Sequence, residues 1–152
     1  MHKSLNILKT YCFYGIVLLS LAACSQEATP PQGAAASGEI PAAELYSRIE
    51  NNTAPLIIDV RSSGEFAAGH LPAALNIAHN EFVDTPATSL ALLPTDKDAE
   101  IIVHCVVGKR AGIAMEIMTA AGYTNVNHLS GDYRGWEAAG YPVEIEQVSL
   151  SD

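Results

Sequence analysis

Basic side chains are scarce in this chain. Eight Lys and Arg stand against 17 Asp and Glu, a formal charge of −9 over 152 residues. That deficit excludes nucleic acid as a partner, because phosphate binding needs a basic face. Cysteine is scarce too. Of the three, Cys12 and Cys24 lie in or at the end of an N-terminal apolar run, and only Cys105 lies further on. A lone thiol in the body of a chain has no intramolecular partner, which excludes a disulfide framework and leaves chemistry as its better explanation. No second His or Cys stands at ligand spacing from His70, so no metal site is expected. Long apolar runs are also missing. The longest, Tyr11 to Ala23, is too short for a comfortable membrane span. Proline and glycine are not in excess, and the composition is that of a globular protein with one domain and some extra.

What is present begins with a leader pattern. Lys3 and Lys9 precede the apolar run, which ends in Leu21-Ala22-Ala23-Cys24. This combination resembles the signal peptide and lipobox of bacterial lipoproteins, in which the cysteine becomes the first residue and is lipidated. The resemblance implies residues 1–23 as a cleaved signal, Cys24 as the lipidated residue, and attachment to a lipid bilayer in the bacterial envelope, facing the periplasm. Ser25 rather than aspartate after the cysteine leans toward the outer membrane. Loss of Lys3 and Lys9 with the leader leaves 6 basic against 17 acidic side chains, formally −11. Residues 25–38 carry no large apolar side chain and have nothing to bury, so residues 24–38 read as a lipidated cysteine and a tether, reaching about 20 Å by coil scaling.

The stretch that organises the rest is His104-Cys105-Val106-Val107-Gly108-Lys109-Arg110. Before it, Ile101-Ile102-Val103 reads as a strand buried on both faces. After it, Arg110 to Ala121 has helical spacing, with Ile113, Ala114, Ile117, Met118 and Ala121 sharing a face and Gly122 as the stop. Cys105 therefore closes a strand where a loop enters a helix. The first helix amides have no internal partner and point at the loop mouth, a place that favours anions and thiolates. Lys109 and Arg110 add local positive charge. His104 points to the other face of the strand and reads as packing rather than as a base for Cys105.

Further strands are expected at Pro55–Val60, Leu75–Ile77 and Asn125–Leu129, with a helix over 41–51 that Pro41 opens and Leu45 and Ile49 anchor. Residues 81–99 suggest one or two short helical pieces. Strands separated by helices imply an α/β domain with a parallel sheet covered on both faces. Ligands of such sheets sit at the carboxyl ends of strands. Asp59–Arg61, Cys105–Arg110 and Ser130–Arg134 all follow strands and should gather there.

At this point the chain resembles the rhodanese (sulfurtransferase) family. Three motifs carry the likeness in order. Asp59-Val60-Arg61, then Glu65-Phe66 and Gly69-His70-Leu71-Pro72-Ala73-Ala74, matches the family's N-terminal signature; Cys105 to Arg110 matches its six-residue loop; Ser130 to Trp136 resembles its Gly-Gly-x-x-x-Trp segment, with Ser130 in place of the first glycine. Tyr141-Pro142-Val143 fits the closing turn. The resemblance implies a single rhodanese-like domain over residues 39–148, with a five-stranded, mostly parallel sheet, and a short tail at 149–152. It implies that Cys105 takes sulfane sulfur from thiosulfate or from a persulfide or polysulfide, holds it as a persulfide, and passes it to cyanide or a thiol. Val106, Val107, Gly108, Lys109 and Arg110 would form the binding loop. Asp59, Arg61 and Arg134 are candidates for pocket support, although Asp59, Arg61, Glu65 and His70 read better as a charge network that fixes the loops. No cofactor is implied, and no oligomeric state. Phosphatases and arsenate reductases on the same fold have a loop one residue longer, and their arginine position is Ala111 here. A non-catalytic sulfur carrier or interaction module is the other alternative. Val106 and Val107 are apolar where many relatives are polar or basic, which favours a less charged donor than thiosulfate.

Overall fold

The computed structural model describes residues 38–146. The leader, Cys24, most of the tether and the end of the chain lie outside the described residues.

Apolar runs of β-branched residues set the centre. Strand β4 (Ile101–His104) is buried along its whole length, and β2 (Leu56–Asp59) is buried from Ile57 on. They pair in parallel, with Ile58 opposite Val103 and Asp59 opposite His104. Strand β5 (Val126–Leu129) flanks β4, and β3 (Ala74–Asn76) flanks β2. The fifth strand, β1 (Glu39–Ile40), is only two residues long and pairs with β5 at the edge. The order is β1-β5-β4-β2-β3, all parallel, with one isolated antiparallel bridge between His70 and Glu144. Each parallel step needs a crossover, and the helices provide them.

Alternation along the strands makes two cores. Ile58, Ile101 and Val103 face one side, where Phe82 of α3 (His79–Asp84) and Ala111, Ala114 and Met118 of α5 (Lys109–Ala120) cover them. Ile57 and Ile102 face the other, against Leu45 of α1 (Ala42–Glu50) and Trp136 of α6 (Asp132–Ala138). Two short helices, α2 (Ser63–Ala68) and α4 (Pro86–Leu90), complete the connections. Helix α5 begins one residue earlier than its spacing suggests, and its buried stripe is rotated. Ala111, Ala114 and Met118 are inside, while Ile113 is 36% exposed. Small side chains at 111 and 114 bring the helix close to β4, and the bulkier Ile113 falls on the solvent flank. Gly122 follows the helix with φ of +94°, the left-handed conformation that ends a helix without a Cβ penalty.

Candidate active site

The loop hangs between β4 and α5. Cys105 is the first residue after β4 and is 1% exposed. Gly108 caps α5 with φ of +91°, and its N–H donates to Cys105 Sγ at 3.2 Å. A left-handed residue at this point turns the chain so that successive amides face inward. The N–H groups of Val106, Val107, Lys109 and Arg110 have no acceptor among the described residues. These are the orphan donors of a helix start and the turn before it, arranged beside a sulfur. Val107 is 62% exposed and Lys109 lies in solvent, while Val106, Gly108 and Arg110 are half-buried.

Arg110 does not point freely into the loop. Its guanidinium makes a two-pronged pair with Glu65, at 2.7 and 2.8 Å. Glu65 also closes the capping box of α2, accepting from Ser62 N–H at 2.9 Å while its own N–H reaches Ser62 Oγ. The Arg110 hydrogen bonds hold the Glu65 carboxyl well below the ordinary glutamate range, and Glu65 in turn raises the Arg110 guanidinium.

Asp59 and Arg61 form a buried pair at the end of β2. Arg61 Nε and one terminal nitrogen reach the Asp59 carboxylate at 2.6–3.0 Å, and that nitrogen also donates to Gly69 O at 2.7 Å. Asn76 closes the turn by donating to the carbonyls of both Asp59 and Arg61. The Arg61 guanidinium lies 3.7 Å over the Tyr133 ring. His70 stacks on Phe66 at 3.7 Å and contacts the Phe66 carbonyl through Nδ1. Asp59 and Arg61 bind each other, and Arg61, Asn76 and His70 bind backbone carbonyls, the geometry of a scaffold. His104 is fully buried, with Nε2 3.8 Å from Asp59, and burial pushes its ionisation down so that it stays neutral. Arg134 is exposed and has no hydrogen bond or ion pair among the described residues. The structure thus gathers the ends of β2, β4 and β5 at one edge of the sheet, with Arg134 exposed and with Asp59 and Arg61 buried and paired to each other.

Two residues that sequence reasoning passed over lie under the loop. Asp132 Oδ1 accepts the Cys105 N–H at 2.8 Å and contacts His128 Nε2 at 3.1 Å. The next amide, Tyr133 N–H, donates to Cys105 O at 3.1 Å. Both backbone polar groups of Cys105 are therefore clamped by the start of α6. Burial raises the Asp132 carboxyl, but the His128 and Cys105 hydrogen bonds outweigh it, and the net direction is down. His128 is raised, mainly by Asp132. The signal was available in the backbone demand of the segment. Gly131 and Asp132 are consecutive left-handed residues, with φ of +80° and +54°, and Trp136 follows Asp132 after three. The glycine pair of the resemblance therefore falls on 131 and 132. The departure is Asp132 in place of the second glycine, not Ser130 in place of the first.

Residues 41–139 match the rhodanese-like domain family. The chain belongs to the rhodanese-like family. Among curated relatives, human thiosulfate:glutathione sulfurtransferase is 37% identical over 101 residues, covering 61% of this chain and 87% of that protein. A sulfurtransferase of Allochromatium vinosum is 26% identical over 105 residues, covering 69% of this chain and 92% of its own. The crystal structure of a rhodanese-related protein from Thermoplasma volcanium superposes with a TM-score of 0.59 at 29% identity, covering 71% of this chain and 98% of that one. At the family level this rhodanese-like chain is related to sulfurtransferases.

Proposed function

We propose that this protein is a rhodanese-type sulfurtransferase held to the bacterial envelope by a lipid on Cys24, with Cys105 as its sulfur carrier. The observation that carries the reading is the Gly108 amide 3.2 Å from Sγ, in a six-residue loop whose other amides have no protein acceptor among the described residues. The thiolate is the nucleophile. It bonds to the outer sulfur of a donor, and the donor's S–S bond breaks. With thiosulfate the electron pair leaves on sulfite; with a persulfide it leaves on a thiolate. The terminal sulfur of the resulting persulfide sits where the loop amides can stabilise its charge. Cyanide or a low-molecular-weight thiol then attacks that sulfur and releases the Cys105 thiolate, with thiocyanate or a new persulfide as product. Lys109, exposed beside the mouth, attracts the donor.

A soluble chain starting at Ser25 tests the chemistry. Thiosulfate-to-cyanide transfer would be assayed beside Cys105→Ser, with intact mass before and after donor. Turnover and a gain of one sulfur, both lost in the variant, are expected. A mass gain without turnover points to a carrier with another acceptor. If a folded protein gives neither signal, thiosulfate is ruled out as the donor, and a binding module or another sulfur donor remains. The anchor is tested separately, by whether full-length protein moves from the membrane to the soluble fraction on Cys24→Ser, which should block lipidation.

A further inference from the structure

Asp132 stands where the backbone asks for glycine. A left-handed, non-glycine residue costs about 1 kcal/mol or more against glycine, and is kept where the surroundings fix it. Here the side chain is buried, at 3% exposure, and its carboxylate runs beneath the loop from Cys105 to Gly108. Oδ1 takes the Cys105 N–H, and Oδ2 lies 3.3 Å from where a Cβ on Gly108 would be. Two consequences follow for the sulfur site. One amide that could have faced the sulfur is turned down onto a carboxylate. A fixed negative charge is also held under the cradle.

The neighbouring charges do not cancel it. His128 is the direct partner of Asp132, but Glu39 lies 3.7 Å from the far side of the same ring. With His128 protonated, the trio of Glu39, His128 and Asp132 still carries one net negative charge. The guanidinium of Arg110 lies near the Cys105 sulfur as well as Glu65, and Glu65 offsets its charge. The neutral His104 adds nothing. Lys109 is the only remaining cation of the loop, and it stands in solvent. Val106 and Val107 add no polar side chain to the mouth. A donor with two charges must approach all of this, whereas one with a single charge or none meets much less repulsion.

We infer that Asp132 is a specificity-determining residue of the Cys105 loop, disfavouring dianionic donors such as thiosulfate and leaving small alkyl persulfides as the preferred sulfur source. The inference rests on the sulfurtransferase reading. With a persulfide, the Cys105 thiolate bonds to the outer sulfur, the donor's S–S bond breaks, and its electron pair leaves on a thiolate. The proton of the donor remains on the transferred sulfur. No second charge enters the loop at any point.

The test uses the full-length chain in detergent, with thiosulfate and a small alkyl persulfide as donors, and reads kcat and KM for each. Wild type should favour the persulfide by at least about tenfold in kcat/KM, the size expected for one buried charge close to a dianion. In Asp132→Asn, which keeps an oxygen for the Cys105 amide, and in Asp132→Gly, which suits the backbone, the thiosulfate-to-persulfide ratio should rise about tenfold, mainly through KM for thiosulfate. Sulfate, an unreactive dianion, used as an inhibitor of the persulfide reaction should bind more tightly to both variants. A ratio that stays put while both donors fall together would make Asp132 a structural clamp only and overturn the inference. A wild-type preference for thiosulfate would overturn it even if neither variant folds. No sulfur gain on Cys105 from either donor would instead bring down the sulfurtransferase reading itself, and the inference with it.

Discussion

At the scale of single residues, two histidines pull the pH dependence in opposite directions. His128 gains Asp132 as a partner on folding, and its ionisation is raised. The folded form then binds its proton more tightly than the unfolded chain. The stability it contributes is complete below the unfolded value of about 6.5 and is lost as the pH rises through the raised folded value. His104 is buried and neutral, with its ionisation lowered by burial. Unfolding lets it take up a proton, so its contribution stands above about pH 6.5 and is lost as the pH falls below it. Urea unfolding at pH 5.5, 7 and 8.5 separates them. His128→Gln should be destabilised most at pH 5.5 and approach wild type at 8.5. His104→Gln, if it packs, should lose less stability on acidification than wild type does. A His128→Gln deficit that grows with pH would refute the Asp132 pairing as its cause.

At the scale of elements, the loop is held at both ends by helix starts. Gly108 opens α5 in the left-handed conformation, and a Cβ there would stand 3.3 Å from both Asp132 Oδ2 and His128 Cε1. Gly108→Ala should therefore cost about 1–2 kcal/mol in urea unfolding and lower the rate of sulfur loading on Cys105, because the amide nearest Sγ is displaced. Glu65 joins the α2 cap to Arg110, so its variants divide the two roles. Glu65→Ala should lose about 1 kcal/mol from the cap alone. Glu65→Gln keeps a capping oxygen and loses only the charge, and a half-exposed ion pair contributes little to stability. Both should free Arg110, lowering KM for thiosulfate; an unchanged KM in Glu65→Gln would show that Arg110 stays out of the loop without Glu65. The cysteine loop was legible in the sequence because a strand pattern, a fixed spacing and a glycine coincide there. Asp132 was legible only through its three-residue spacing to Trp136, since an aspartate after a glycine otherwise reads as a turn, and the two successive left-handed residues show only in the backbone. Arg134 was legible as a charge near the site whose commoner fate is exposure, and on α6 it is exposed.

At the scale of the whole molecule, the sheet was readable because β2 and β4 are built on the apolar runs Leu56-Ile57-Ile58 and Ile101-Ile102-Val103, which a strand covered on both faces can bury. The edge strand β1 was not, since two residues carry no period. Net charge is the property that no single element contains. A charge of −9 on a domain of about 15–20 Å radius opposes each unit of negative charge at its surface by roughly 2 kcal/mol in water before screening, while one lysine about 8 Å away returns about 0.5 kcal/mol. The global field therefore outweighs Lys109 for any anion arriving from solution. Salt shrinks the Debye length from about 30 Å at 0.01 M to about 8 Å at 0.15 M, which removes the distant acidic charges and spares the nearby lysine. The second-order rate of Cys105 loading by thiosulfate should then rise severalfold over that range, the reverse of a site steered by a basic surface. Lys109→Ala should lower the rate at 0.15 M by about twofold and leave the rise with salt in place. A loading rate that falls with salt would mean that the loop's own cations, not the net charge, govern the approach.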